Sequence, residues 1–74
     1  MVSFGERLKE LRTNNNYSQR ELAKKIGVDY SAISYWESCK SEPKASYIIK
    51  ISLFFNVTTD YLLGLEDEFG NKYL

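Results

Sequence analysis

The sequence predicts an all-α fold of five short helices in one domain. Three observations carry that reading. Apolar residues recur at helical spacing along the chain, a serine, threonine or aspartate stands where four of the helices must begin, and no run before the tail reads as a strand. The chain has 74 residues and 43% hydrophobic content, enough for one core near the lower size limit at which a single core suffices.

Ser3 followed by Glu6 is a capping box, and Phe4, Leu8 and Leu11 form the inner stripe of the first helix. Asn14-Asn15-Asn16 ends it, because asparagine competes for backbone hydrogen bonds and tolerates left-handed geometry. Ser18 with Glu21 opens the second helix, which turns Leu22 and Ile26 inward. Asp29 is placed to cap the third helix with its carboxylate. Pro43 marks the approach to the fourth, where Ile48, Ile51, Ser52 and Phe55 share a face. Ser52 is expected to bond back to the carbonyl four residues earlier. Thr58 caps a short fifth helix through Tyr61, Leu62 and Leu63, stopped by Gly64.

Gln19 to Ser38 has the shape of two helices crossing at a small residue, Ala23, and joined by a glycine turn at Gly27, which reaches positive φ without strain. Ile33 and Trp36 form the inner stripe of the second of these helices. That arrangement is a helix-turn-helix, the unit that lays its second helix in the DNA major groove.

Composition excludes several classes. Histidine is absent and Cys39 is the one cysteine, so zinc ligation and an intramolecular disulfide lack their parts, and a reducing cytoplasm fits. No signal peptide or membrane-length apolar run is visible, and no cofactor is implied. An enzyme is not expected: there is no histidine, no cysteine–base pair, no phosphate-cradling glycine loop and no inward carboxylate pair. Net charge is zero, yet residues 1–44 hold eight Lys/Arg against six Asp/Glu, and residues 45–74 hold two against four. The half that would meet nucleic acid is slightly basic.

The string Ser18-Gln19-x-Glu21-Leu22-Ala23, Ile26-Gly27-Val28, Ile33 and Trp36-Glu37, followed by Pro43, Ile51, Val57 and Asp60-Tyr61-Leu62-Leu63-Gly64, resembles the phage-repressor-like (Cro/repressor type, XRE) helix-turn-helix regulators. The resemblance spans residues 3–64. It implies a lambda-repressor-like five-helix domain that binds a palindromic operator in double-stranded DNA as a homodimer, in the bacterial cytoplasm and nucleoid. It also implies a structural pair between Arg12 of the first helix and Glu37, which lies only about 40° around the helix from Ile33. The pair would fix the recognition helix and hold Arg12 near a phosphate.

On a helical wheel Ser31, Ser34, Tyr35 and Ser38 face away from Ile33, and Tyr30 lies laterally in the first turn. The resemblance implies base reading by Tyr30, Ser31 and Tyr35, which match the family's usual base-reading positions, with Ser34 beside them, although the strong bidentate codes of Arg, Lys, Asn and Gln are missing from that face. Phosphates are expected at Arg12, Ser18, Gln19, Ser38, Lys40 and Lys44; Lys24 and Lys25 read as a solvated face. Cys39 stands where the family usually has glycine, so either it adopts left-handed geometry at a cost or the loop takes another path.

Apolar residues also exceed what one buried stripe needs. Phe54, Tyr61, Leu63, Leu65 and Phe69 are the expected dimer interface. Residues 65–74 read as a tail, a dimerisation arm or a linker. A hairpin turned at Gly70-Asn71, with Phe69 and Tyr73 on either side, would need a partner surface. A protein-interaction module, such as an antitoxin binding through the helix 4/5 face, is the competing function.

Overall fold

A computed structural model of the chain describes residues 2–72. Its helices are α1 (Phe4–Asn14), α2 (Gln19–Ile26), α3 (Tyr30–Glu37), α4 (Ala45–Phe55) and α5 (Thr59–Leu62). Beyond them, one antiparallel bridge joins Glu66 to Lys72, and no other β-pairing occurs among the described residues.

The helices start by local side-chain chemistry. Ser18 forms a complete capping box: its Oγ accepts from Glu21 N at 3.0 Å, and Glu21 Oε1 accepts from Ser18 N at 2.9 Å. Ser3 makes only half of one. Its Oγ accepts from Glu6 N, but the Glu6 carboxylate takes the Ser3 hydroxyl rather than the Ser3 backbone N–H. Thr58 caps α5 by accepting from Tyr61 N. Asp29 departs from expectation and makes no side-chain cap. Ala32 N already donates to the Asp29 carbonyl, and the carboxylate instead accepts from the Ser31 hydroxyl at 2.5 Å.

All five helices end alike. A left-handed residue follows each, at Asn16, Gly27, Cys39, Asn56 and Gly64. The residue after it donates to a carbonyl five positions back: Tyr17 to Arg12, Val28 to Ala23, Lys40 to Tyr35, Val57 to Ser52 and Leu65 to Asp60. This closure satisfies the orphan carbonyls of the last turn. Cys39, at φ 62°, is the one among them that is neither glycine nor asparagine.

Leu8, Leu22, Ala23, Ile26, Ile33, Trp36, Ile51 and Leu62 form the buried core, drawing on all five helices. Phe4, Leu11, Ile48 and Phe55 pack on its rim. Tyr47 belongs there too, with its ring 5.6 Å from that of Trp36. Ser52 is buried and bonds Ile49 O, three residues back rather than four.

Two residues of α1 have roles that periodicity does not show. Gly5 is buried where the end of α3 crosses α1, and a β-carbon on it would lie 2.4 Å from Trp36 O and 2.9 Å from Glu37 O. Arg7 is buried; its guanidinium sits 3.9 Å from the Tyr61 ring centroid and donates to Glu66 O. The tail is thereby tied to α1 and α5, with Thr58 donating to Glu66 and Lys72 pairing with Asp60 and Glu66. Its turn is not the expected Gly-Asn hairpin. Glu66 faces Lys72, Asp67 N donates to Asn71 O, and the Asp67 carboxylate accepts from the amides of Phe69 and Asn71. Tyr73 lies outside the described residues.

Candidate nucleic-acid interface

α3 buries Ile33 and Trp36 and turns its opposite side to solvent. Tyr30 is 42% exposed and Tyr35 51%. Ser31 and Ser34 are half-buried between them, and Ser38 is exposed just past the helix end. Two of these hydroxyls have local partners: Ser31 donates to Asp29, and Ser38 to Tyr35 O.

Each tyrosine carries a cation. The Arg20 guanidinium lies 4.1 Å from the Tyr30 ring centroid, and Lys40 Nζ lies 5.9 Å from that of Tyr35. The Lys40 placement follows from the left-handed Cys39, which reverses the chain there. Lys44 is exposed at the N-cap of α4.

The orientation of α3 is set from α1 and α2. Arg12 Nε donates to Glu37 Oε2 at 2.6 Å and Arg12 Nη2 to Glu37 Oε1 at 3.0 Å. Nη1 of the same fork reaches Tyr17 O, and Gln19 Nε2 donates to Glu37 Oε1. The side chains of the pair are only 12% and 5% exposed. The hydrogen bond to Glu37 raises the Arg12 pKa above its ordinary value, partly offset by burial. One carboxylate thus gathers α1, α2 and the end of α3.

The expected phosphate binders divide accordingly. Arg12, Gln19 and Ser38 line one shallow depression with Lys9, Ser34 and Glu37; Lys9 was not expected there. Most of the Arg12 fork and part of the Gln19 amide are already engaged. The backbone N–H of Ser18 is taken by Glu21, whereas the amides of Gln19 and Arg20, next in α2, have no acceptor among the described residues.

Phe54, Leu63, Leu65 and Phe69 are exposed. Tyr61, expected with them, is half-buried under Arg7. The most exposed apolar side chain on α4 is Leu53, and Ile49 on the same helix is also exposed.

A helix-turn-helix family model matches residues 8–62. The chain belongs to that helix-turn-helix family. Among its relatives is the transcriptional regulator ImmR of Bacillus subtilis, 39% identical over 71 residues, which are 96% of this chain and 55% of ImmR. The transcriptional activator BcrR of Enterococcus faecalis is 44% identical over 66 residues, 89% of this chain and 32% of BcrR. The chain thus spans 55% of the one relative and 32% of the other. Solved helix-turn-helix structures agree in fold. The P22 c2 repressor, in complex with a synthetic operator, matches with TM-score 0.79 and 33% identity, over 85% of this chain and 96% of that one. SinR in complex with DNA matches with TM-score 0.74 and 34% identity, over 81% and 97%.

Among the described residues no helix is long and apolar enough to cross a membrane, and no group of potential metal ligands occurs.

Proposed function

We propose that this chain binds double-stranded DNA sequence-specifically and regulates transcription in the cytoplasm, as a repressor occupying its operator. The observation that carries this reading is the exposed hydroxyl and aromatic face of α3, clamped by the Arg12–Glu37 pair in a fold shared with the P22 c2 repressor and with SinR, both solved on DNA. α3 lies in the major groove, with Tyr30, Ser31, Ser34 and Tyr35 toward the base edges. Tyr30 and Tyr35 offer ring faces for thymine methyl groups, and Ser34 a hydroxyl. The free amides that open α2, together with Lys9, Ser38, Lys40 and Lys44, sit at phosphates and fix the register.

Phe54, Leu63, Leu65 and Phe69, with Leu53 and Ile49, form a homodimer surface that spaces two recognition helices about 34 Å apart on a palindromic operator. The docked tail is part of that surface.

Selection from random duplex DNA tests the reading. The expected result is an inverted-repeat motif whose affinity Tyr35→Ala abolishes, with a salt slope near −5 if the dimer neutralises about six phosphates. A folded protein that enriches no motif removes the proposal, and a monomer both free at micromolar concentration and on DNA removes the dimer.

A further inference from the structure

We infer that Arg20 is a specificity-determining residue, held over the Tyr30 ring so that its guanidinium reads a guanine in the major groove; this rests on the DNA-binding reading above. The exposed face of α3 holds serines and tyrosines and none of the side chains that make bidentate base contacts. Two of its hydroxyls are further committed, Ser31 to Asp29 and Ser38 to Tyr35 O. The interface as α3 alone presents it is therefore poor in strong readers.

α2 supplies what α3 lacks. Arg20 lies in the first turn of α2, and its Cζ stacks 4.1 Å from the centroid of the Tyr30 ring. Tyr30 is the first residue of α3, at the end of a recognition helix that contacts base edges. Stacking on an aromatic face suits the planar guanidinium and limits the volume it sweeps. Arg20 is exposed and makes no hydrogen bond or ion pair among the described residues, so its five N–H donors remain for a ligand. Arg12, by contrast, has spent most of its fork on Glu37 and Tyr17.

A phosphate accepts from a fork or from a point charge, and a mobile side chain serves it as well as a fixed one. A rigid fork pinned to a ring beside the groove-entering turn is what paired acceptors on one base edge require, and guanine O6 and N7 are such a pair. Lys40, 5.9 Å from the Tyr35 ring at the other end of α3, is a compact point charge and suits a phosphate.

The test is random-duplex selection with the wild-type chain, Arg20→Ala, Tyr30→Leu and the double variant, followed by titration of the enriched site and its single-base variants at several salt concentrations. The wild-type motif should hold one guanine per half-site whose preference falls roughly 10- to 100-fold in Arg20→Ala while the other positions stay. Tyr30→Leu should weaken the same guanine, and the double variant should lose no more of it than Arg20→Ala alone. A loss spread evenly over all sequences, with the salt slope reduced by about 1, would assign Arg20 to a phosphate and overturn the inference. An unchanged motif would overturn it as well. If the wild-type chain enriches nothing, DNA reading itself fails, a different result from a motif that Arg20→Ala leaves intact.

Discussion

Replacing Glu37 with glutamine tests how α3 is held. The change keeps the shape of the side chain and removes its charge. Glu37 Oε1 accepts from Arg12 Nη2 at 3.0 Å and Gln19 Nε2 at 3.1 Å, and Oε2 accepts from Arg12 Nε at 2.6 Å. A glutamine amide must put an NH2 group against at least one of these donors, which breaks one or two charge-assisted bonds worth about 1.5–3 kcal/mol each. It also leaves the Arg12 guanidinium, 12% exposed, without its counter-charge. The expected cost is about 3 kcal/mol, which lowers the melting temperature of a domain this size by about 12–24 °C. A domain with about 5–10 kcal/mol of stability remains folded at 25 °C after that loss, so its DNA affinity is still measurable. That affinity should fall about tenfold because the end of α3 is released from α1. Thermal melts followed by circular dichroism, with titrations on the selected operator, give both numbers. A double-mutant cycle with Arg12→Gln should return a coupling above about 1 kcal/mol. If Glu37→Gln melts within about 2 °C of wild type and binds DNA equally well, the pair does not hold the recognition helix and the reasoning fails.

Other positions carry further predictions. Gly5→Ala would add helix propensity at an exposed site, but here the new β-carbon meets backbone oxygens of Trp36 and Glu37; the expected result in urea titration is a loss of about 1–3 kcal/mol, and a gain would contradict the crossing geometry. Cys39→Gly relieves left-handed strain at φ 62° and, after the extra entropy of the unfolded glycine chain, should stabilise by about 0.5 kcal/mol; a destabilised variant would show that the thiol's packing matters more. Three carboxylates are held below their ordinary values: Glu66 by the Thr58 hydroxyl and then Lys72, Asp67 chiefly by the Asn71 amide, and Glu21 chiefly by the Ser18 amide. Their contribution is complete above ordinary values of 4.5 for Glu and 3.8 for Asp and is lost as pH falls through the folded-state values, so the melting temperature should decline below about pH 4.5. Lys72, raised by Asp60 and then Glu66, acts in the opposite sense: its contribution holds below 10.5 and is lost as pH rises through the folded-state value. Melts across pH 3–11, with amide exchange at Phe69 and Asn71, check both limbs, and a flat profile would count against the docked tail.

What the sequence made legible depends on how far apart the interacting groups lie. Ser18 and Glu21 are three residues apart, and Gly27 and Gly64 answer a demand of the backbone itself, so local rules suffice for them. Asp29 shows where such rules fail. The capping rule is sound, but Ala32 N is already satisfied by the Asp29 carbonyl, and the neighbouring Ser31 hydroxyl then wins the carboxylate. Gly5 was not legible because what it must avoid is a pair of carbonyls more than thirty residues away. Arg7 was missed for a related reason: a charged residue between apolar stripes reads as solvent-facing until Tyr61 and Glu66 close over it. The expected base-reading face was drawn on a wheel of α3 alone, which does not contain Arg20 of α2.

These cross-element contacts share one feature, which is that α1 touches both the end of α3 and the docked tail. Gly5 and Arg12 set the end of α3, while Arg7, a turn or so away on the same helix, holds Tyr61 of α5 and Glu66 of the tail. The end of α3, with the side chains proposed to read the groove, and the tail that carries Leu65 and Phe69 are therefore both fastened to α1. In a two-fold dimer the spacing of two recognition helices must match the DNA repeat, so error accumulates through every joint between the dimer surface and α3. A single helix buried along Leu8 and anchored at both ends leaves few joints to err. In the proposed dimer such anchoring is what two arginines of α1 supply, Arg7 at 4% residue exposure and Arg12 at 12% side-chain exposure, where apolar side chains would have filled the space at lower desolvation cost.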